Sequence, residues 1–289
     1  MSSINTDSPA AVRDGEQLNV AKLNAYFNEQ VHDFGVIVEV SQFPGGYSNL
    51  TYFLKTDNNK EYVLRRPPFG SKHIKGGHDM GREFRVLSLL KASGYVKIPA
   101  PIVYCEDESI LDSSFYVMER VQGVILRAHS APKMGLEPTT LRRLSESLVD
   151  NMVDHHAIDI RATGLINLGK PEGYVQRQVD GWYKRYQNAQ TDEVPVFEQV
   201  HEWLVQNRPA ENAPTLIHND YKYDNMVLNA HDLTDIVAVL DWEMTTVGDP
   251  LMDVGTSLSY WSEVTDGSFE KSFNLTWLPG NFTRQEFAD

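Results

Sequence analysis

The stretch from Leu216 to Leu251 constrains the fold more than any other part of this sequence. Within it, Met226 to Leu228 and Ile236 to Leu240 are short apolar runs, and the second is rich in β-branched residues, as buried strands are. The polar residues between the two runs predict a turn centred near Leu233. The sequence therefore predicts an antiparallel hairpin at the centre of this region.

The open end of the predicted hairpin brings oxygen ligands together. Its register places Val227 opposite Val239 and Asn225 beside Asp241, while Asp220 lies in the loop that leads to them. Mg²⁺ usually takes one or two protein oxygens and completes its shell with phosphate and water. The pattern indicates a cation site for Mg²⁺ carried by phosphates, although a capped turn also explains the polar run when it is considered alone.

The motif His218-x-Asp220-x-Lys222-x-x-Asn225, followed by Asp241 at a strand end, resembles the catalytic and metal loops of the protein-kinase-like superfamily. The segments Trp242-Glu243 and Gly248-Asp249-Pro250-x-x-Asp253 are similar to those of its aminoglycoside phosphotransferase and choline kinase branch. This resemblance implies an α+β, two-lobed fold. The N-lobe would be an antiparallel sheet with a helix, and the C-lobe would be mostly helical with a catalytic β-hairpin.

A second predicted hairpin, with its turn near Asn58, places Arg65 opposite Thr51 and beside the glycine-rich loop that starts at Gly45. Glycine-rich loops let backbone N–H groups approach phosphate oxygens closely, although such a pair of glycines is also common in plain turns. Arg65 stands where protein kinases have a strand lysine. The resemblance implies that Arg65 holds the α- and β-phosphates of ATP and that a loop covers them through Gly46, Ser48 and Asn49.

Glu83 lies within the apolar stripe of a helix that Asp79 caps and that runs to about Ser93. A carboxylate among apolar side chains needs a cationic partner, because burying it alone is costly. We therefore expect an ion pair between Glu83 and Arg65. The alternative is that Glu83 lies at the edge of the helix and reaches water.

The apolar run from Ser114 to Val121 predicts a strand that ends before Gly123. The resemblance implies that this strand leads into the hinge between the lobes. Met118 would line the back of the adenine pocket, and Glu119 and Val121 would provide the hinge backbone; an ordinary edge strand is the alternative. The expected division is a flexible N-terminus over 1–16, a nucleotide-binding N-lobe over 17–122 and a catalytic, substrate-binding C-lobe over 123–289.

Helices are predicted from Tyr174 to Asn188 and from Val196 to Asn207, with their aromatic side chains packed in a core. The adjacent residues His155 and His156 end an earlier helix. Neighbouring helical side chains face different directions, so the sequence favours a buried capping role for His156 over metal chelation. By resemblance, Asp253 braces the catalytic loop.

Composition excludes some functions. The net charge of −14 argues against nucleic acid and anionic membrane surfaces, whose phosphates need clustered lysine and arginine. Cys105 is the single cysteine, so no intrachain disulfide can form and a reducing compartment is expected. The N-terminal residues contain no apolar leader. We expect a cytoplasmic protein without membrane partners.

These residues together predict an ATP- and Mg²⁺-dependent phosphotransferase that acts on a hydroxyl of a small molecule. By resemblance, Asp220 accepts the substrate proton or orients the hydroxyl, and Lys222 contacts the γ-phosphate. The same resemblance implies that Asn225 and Asp241 hold Mg²⁺. Aminoglycoside-type or choline-type kinase activity, and a non-catalytic nucleotide-binding scaffold, are the alternatives.

Several longer stretches are similar to the kinase-like domains that are fused to, or encoded beside, acyl-CoA dehydrogenases. This resemblance implies a hydroxyacyl-CoA as the acceptor and a functional link to an acyl-CoA dehydrogenase. The family continues with further helices after a segment like Leu278 to Arg284, so we expect that this chain lacks the final ones. The stretches that carry the resemblance are PGGYSNLTYFL, YVLRRPPFGSK, HDMGREFRVLSLL and LDWEMTTVGDPLMDVG.

Overall fold

The strands of the N-terminal part pair into one antiparallel sheet in a computed structural model that describes residues 8–44, 49–70 and 79–289. Within these ranges the sheet has five strands in the order β1-β2-β3-β5-β4. In β2 and β3, Thr51 pairs with Arg65, which confirms the predicted register of this hairpin. The strands are β1 Ile37–Gln42, β2 Leu50–Thr56, β3 Glu61–Arg66, β4 Pro101–Cys105 and β5 Phe115–Glu119.

Two helices pack against this sheet. Helix α1 (Val20–Gln30) buries Leu23 and Phe27 with apolar side chains of the strands. Helix α2 (Met80–Ser93) has the predicted bounds, because the Asp79 side chain accepts a hydrogen bond from Arg82 N and Gly94 ends the helix in a left-handed conformation. Helix α2 contacts strands β4 and β5 of the sheet and also the short 3-10 helices Leu165–Leu168 and Trp242–Met244, so it lies between the sheet and the rest of the molecule.

The C-terminal part is mainly helical and contains two short antiparallel pairs of strands. Strand β7 pairs with β8, and β6 pairs with β9. One core contains buried side chains from α2, from α4 and from the β7–β8 hairpin, so it joins the two parts. The elements of this part are α4 Pro138–His156, α5 Tyr174–Ala189, α6 Pro195–Gln206, β6 Thr215–Ile217, β7 Met226–Asn229, β8 Asp232–Val239, β9 Thr246–Gly248, α7 Pro250–Tyr260, α8 Ser268–Lys271 and α9 Arg284–Ala288. The short helix α3 (Glu108–Leu111) lies between β4 and β5 in the N-terminal part.

The predicted register of the β7–β8 hairpin is wrong by one residue. Val227 pairs with Ala238 instead of Val239, and Leu240 N donates to Asn225 O at 2.8 Å. Strand β8 already begins at Asp232, so the turn lies earlier than Leu233, and the register also shifts twice along the pair. Leu240, not Asp241, therefore comes beside Asn225.

The prediction that α5 and α6 bury their aromatic side chains in a core is also wrong. Trp182 and Trp203 are 59% and 62% exposed. Tyr183 stacks on His201 and Tyr186 on Phe197, with ring centroids 3.9 and 3.7 Å apart. The two helices therefore pack their aromatic rings on each other.

Residues 8–16 do not behave as the flexible terminus that the sequence predicts. Ala10 pairs with Gln42 at the edge of the sheet, and the Tyr52 hydroxyl donates to Glu16 O at 2.8 Å. A backbone that is tied to a strand edge and to a buried tyrosine is part of the folded domain. The first seven residues lie outside the described part of the chain.

In the described ranges, no helix has the length and the apolar character that crossing a bilayer requires.

Gly280 provides a test of the packing near the C-terminal end. Its φ is +104°, and an added Cβ would overlap the backbone of Pro138. We expect Gly280→Ala to lower the free energy of unfolding by about 2–4 kcal/mol, because strain and overlap add. Gly255, in α7, is the matched control, since a Cβ there meets nothing within 4 Å. Gly255→Ala should raise stability by up to about 1 kcal/mol in urea denaturation; equal effects of the two variants would contradict this packing.

Candidate active site

The Arg65 side chain is the centre of the site. In the described chain its guanidinium contacts three carboxylates, with Nη1 2.6 Å from Glu83 Oε1, Nη1 3.1 Å from Asp241 Oδ1 and Nη2 3.6 Å from Glu243 Oε2. Arg65 and Glu83 are both buried. The expected ion pair between strand β3 and helix α2 is therefore present, and the alternative in which Glu83 reaches water is wrong.

Burial and charge act in opposite directions on this cluster. Burial raises the pKa of Glu83 to about 7, although the Arg65 charge opposes the change. Burial alone would lower the pKa of Arg65, but the charge of Glu83, with smaller effects from other neighbours, outweighs it and holds that pKa above its ordinary value. Arg65 therefore stays cationic among carboxylates that outnumber it.

The loop before β7 holds the second group. Lys222 Nζ lies 2.8 Å from Asp220 Oδ1, and Asn225 Nδ2 donates to both Asp220 Oδ2 and Asp220 O at 2.8 Å. Burial lowers the pKa of Lys222, but the hydrogen bond to Asp220 and the negative charge of that carboxylate together outweigh burial and leave the pKa raised. Because its amide nitrogen faces Asp220, Asn225 keeps its carbonyl oxygen for another ligand.

The fully buried carboxylate of Asp253 holds the loop that precedes β7. Its Oδ2 accepts from His218 N at 2.9 Å and its Oδ1 from Asn219 N at 2.7 Å. The loop needs such support, because Asn219 has a φ of +64°, a value that is uncommon outside glycine. The structure therefore gives Asp253 the bracing contacts that the resemblance implies.

Asp253 also contacts both histidines at the end of α4. Nε2 of His155 and of His156 lie 3.2 and 3.0 Å from Asp253 Oδ2. Although burial raises the pKa of Asp253, hydrogen bonds from these histidines hold it well below the ordinary value. The expectation that the adjacent histidines diverge is wrong, since α4 ends at His156 and both rings turn to one carboxylate. Sequence reasoning missed His155, because only the long-range partner reveals its role.

The nucleotide-site candidates at the end of β5 and directly after it line one cleft together with the charged groups. Met118, Glu119 and Val121 border this cleft, whose volume is about 190 Å³. Gly123 lies where the chain approaches the hairpin, and an added Cβ would overlap Leu228 O. The same cleft is bordered by Val63, Arg65, Glu83, Leu87, Asn225, Val227, Leu240 and Asp241.

Asn49 is buried, and its Nδ2 donates to Glu243 Oε2 at 2.8 Å. Gly46 and Ser48, the other two residues expected to cover phosphates, lie outside the described residues. Sequence reasoning missed Glu243 as a member of the site. Its position two residues after Asp241 is a local signal that could have identified it.

Residues 39–288 match the model of a family described as "Phosphotransferase enzyme family". A solved structure of a candidate aminoglycoside phosphotransferase from Ralstonia eutropha superposes with a TM-score of 0.78 and 30% identity, covering 94% of this chain and 78% of that protein. An aminoglycoside phosphotransferase solved with streptomycin and ATP has a TM-score of 0.57 and 20% identity, over 91% of this chain and 81% of its own. At 20% identity, the similarity to this second structure shows a shared fold and nothing more.

Among curated proteins, acyl-CoA dehydrogenase family member 11 of Rattus norvegicus is 38% identical over 251 residues, which are 85% of this chain. The human protein of the same name is 37% identical over 277 residues, or 92% of this chain. The chain spans about a third of the length of these relatives, 32% and 35% respectively. The expected two-lobed, kinase-like fold is confirmed, and this chain belongs to the phosphotransferase enzyme family.

Proposed function

We propose that this phosphotransferase moves the γ-phosphoryl group of ATP to a hydroxyl of a small molecule, with Mg²⁺ as the cofactor. The observation that carries the proposal is one cleft that charged and polar groups from distant parts of the chain border together. Arg65 and Glu83 come from the sheet and α2, Asp241 follows β8, and Asp220 with Asn225 precedes β7. Phosphoryl transfer depends mainly on such positioning and on charge stabilisation.

The donor set fits Mg²⁺. Glu83, Asp241 and Glu243 contact the guanidinium of Arg65, so the carboxylates of this cluster outnumber the cation within the described ranges, and a divalent cation would offset their charge. Asn225 and Asp241 supply the hard oxygen ligands, of the number that Mg²⁺ usually takes from protein. When bound, the ion would neutralise phosphate charge.

Asp220 is the group proposed to accept the proton of the attacking hydroxyl or to orient it. Asn225 Nδ2 holds one carboxylate oxygen and Lys222 Nζ the other, both at 2.8 Å, so the carboxylate has a defined direction. Lys222 would contact the γ-phosphate from its place beside Asp220. A held carboxylate next to a cation is the arrangement expected where a hydroxyl and a phosphate must meet.

Arg65 is proposed to hold the α- and β-phosphates, with Glu83 fixing the direction of its guanidinium. Nη1 and Nη2 of Arg65 both lie 3.1 Å from Asp241 Oδ1. A bound nucleotide would therefore share Arg65 with Asp241. Met118, Glu119 and Val121 border the cleft where adenine would lie.

The acceptor proposed here is a hydroxyacyl-CoA. The support is the similarity to curated proteins named acyl-CoA dehydrogenase family member 11, over 85% to 92% of this chain in the rat and human proteins. The same similarity supports a functional link to an acyl-CoA dehydrogenase. An aminoglycoside is the second candidate, which the solved complex of a structural neighbour with streptomycin favours.

The roles of Asp220 and Asp241 can be separated by experiment. Asp241→Asn should weaken both Mg²⁺·ATP binding and turnover, because it removes a charged metal ligand. Asp220→Asn should leave nucleotide binding nearly intact and lower kcat by about 100-fold or more, as expected for loss of a positioned base. Calorimetric titration with a non-hydrolysable ATP analogue, beside kinetics, measures both.

Asp235→Asn, at an exposed position on the same hairpin, is the matched control and should change neither quantity. An equal loss of nucleotide binding in the Asp220 and Asp241 variants would refute the division of roles.

The ion pair of Arg65 and Glu83 should appear in a double-mutant cycle. We expect Arg65→Ala and Glu83→Ala each to raise the KM for ATP, and the double variant to be less impaired than the sum, with a coupling of roughly 0.5–3 kcal/mol. The exposed pair of Lys60 and Asp33, 2.8 Å apart, is the control and should leave the KM unchanged. Additive effects at Arg65 and Glu83 would show that the pair does not position phosphate.

The acceptor can be identified by product mass after incubation with ATP, Mg²⁺ and a panel of hydroxyacyl-CoAs, free hydroxy acids, amino alcohols and aminoglycosides. We expect CoA thioesters to be phosphorylated in preference to the matching free acids. Turnover of an aminoglycoside or choline without turnover of any thioester would replace the proposed acceptor and leave the kinase proposal intact. Binding of ATP without transfer to any acceptor would favour the scaffold alternative.

A further inference from the structure

The guanidinium of Arg82, at the start of α2, contacts the segment that follows Asp241. Its Nη1 donates to Glu243 O at 3.0 Å, and its Nη2 donates to Thr245 O and, at 3.4 Å, to Leu168 O. The acceptors are backbone carbonyls from two separate parts of the C-lobe. One side chain of α2 therefore holds the main chain of the other lobe at three points.

These contacts need an arginine. A planar guanidinium presents several N–H donors in a fixed fork, whereas an ammonium is a compact point charge. Burial lowers the pKa of Arg82, since carbonyls replace water around it, and its hydrogen bonds are charge-assisted. The environment is therefore suited to holding backbone rather than to forming an ion pair.

The segment that Arg82 holds includes a residue in an unusual conformation. Asp241 has φ +65° and ψ +56°, in the left-handed region, which non-glycine residues occupy only where the surroundings enforce it. Glu243, whose carbonyl Arg82 binds, also contacts Asn49 through its carboxylate at 2.8 Å. The backbone beside Asp241 is thus fixed to the N-lobe from two sides.

We propose that Arg82 is a positioning residue, which holds α2 and the segment from Asp241 to Thr245 in the arrangement where Glu83 and Asp241 both reach Arg65. Arg82 directly precedes Glu83, so the two neighbours orient α2 toward different partners. Arg82 acts through Glu83 and Asp241. The expected effect of Arg82 on catalysis rests on the proposed function, whereas its expected effect on the backbone from Asp241 to Thr245 does not.

Hydrogen exchange in the free protein tests the contact without any turnover. Arg82→Met keeps an apolar stem and removes the fork, so amide exchange should rise roughly tenfold or more in residues 242–248 and in the first turn of α2. Arg82→Lys should show a smaller rise. Arg85→Met is the matched control, because Arg85 is exposed on the same helix, and it should leave both segments unchanged. Unchanged exchange in Arg82→Met would overturn the proposal.

Kinetics then separate positioning from a merely structural role. In Arg82→Met, kcat/KM for ATP should fall about 10- to 100-fold, and half-maximal rate should need more Mg²⁺, because Asp241 is no longer held. Arg82→Lys should restore part of both quantities. A lower Tm with unchanged Mg²⁺ dependence would overturn the positioning role. If the wild-type protein neither binds Mg²⁺·ATP nor transfers phosphate, the proposed function fails, and the exchange experiment still decides the contact.

Discussion

The site and the relation of the two lobes depend on the ion pairs that the buried guanidinium of Arg65, on strand β3, forms with carboxylates. A charge removed from water is costly unless partners compensate it, and loss of one partner from such a pair costs about 3–5 kcal/mol. The partners of Arg65 come from α2 and from the chain after β8, which are far apart in sequence. The cost of leaving any of these charges alone therefore favours one arrangement of sheet, helix and hairpin.

The carboxylate of Asp253 fixes the loop before β7 in a similar way, through hydrogen bonds from its backbone. It accepts hydrogen bonds from the backbone N–H groups of His218 and Asn219 and contacts two histidines of α4. Because Asp253 belongs to α7, this one buried group links α4, α7 and the loop. A loop that includes a left-handed asparagine stores strain of about 1–3 kcal/mol, which such contacts must offset. Asp220, in the same loop, thereby stands on a rigid support, as the role proposed for it would require.

Local signals allowed much of the N-lobe and several site contacts to be predicted from the sequence. The turn at Asn58 set the pairing of Thr51 with Arg65, and Asp79 marked the start of α2. Glu83 within an apolar stripe indicated a buried carboxylate and hence a cationic partner. These predictions succeeded because a turn, a cap or a helical period depends on residues within a few positions of one another.

The sequence by itself determined which groups could meet, namely Arg65 with Glu83 and the loop of Asp220 with the end of the hairpin. Only the tertiary structure decided the hairpin register, which bulges shifted by one residue, and the contacts of His155, Glu243 and Arg82. It also decided that Trp182 and Trp203 remain exposed. Such features depend on partners that are distant along the chain, and no local pattern records which distant surface a side chain will reach.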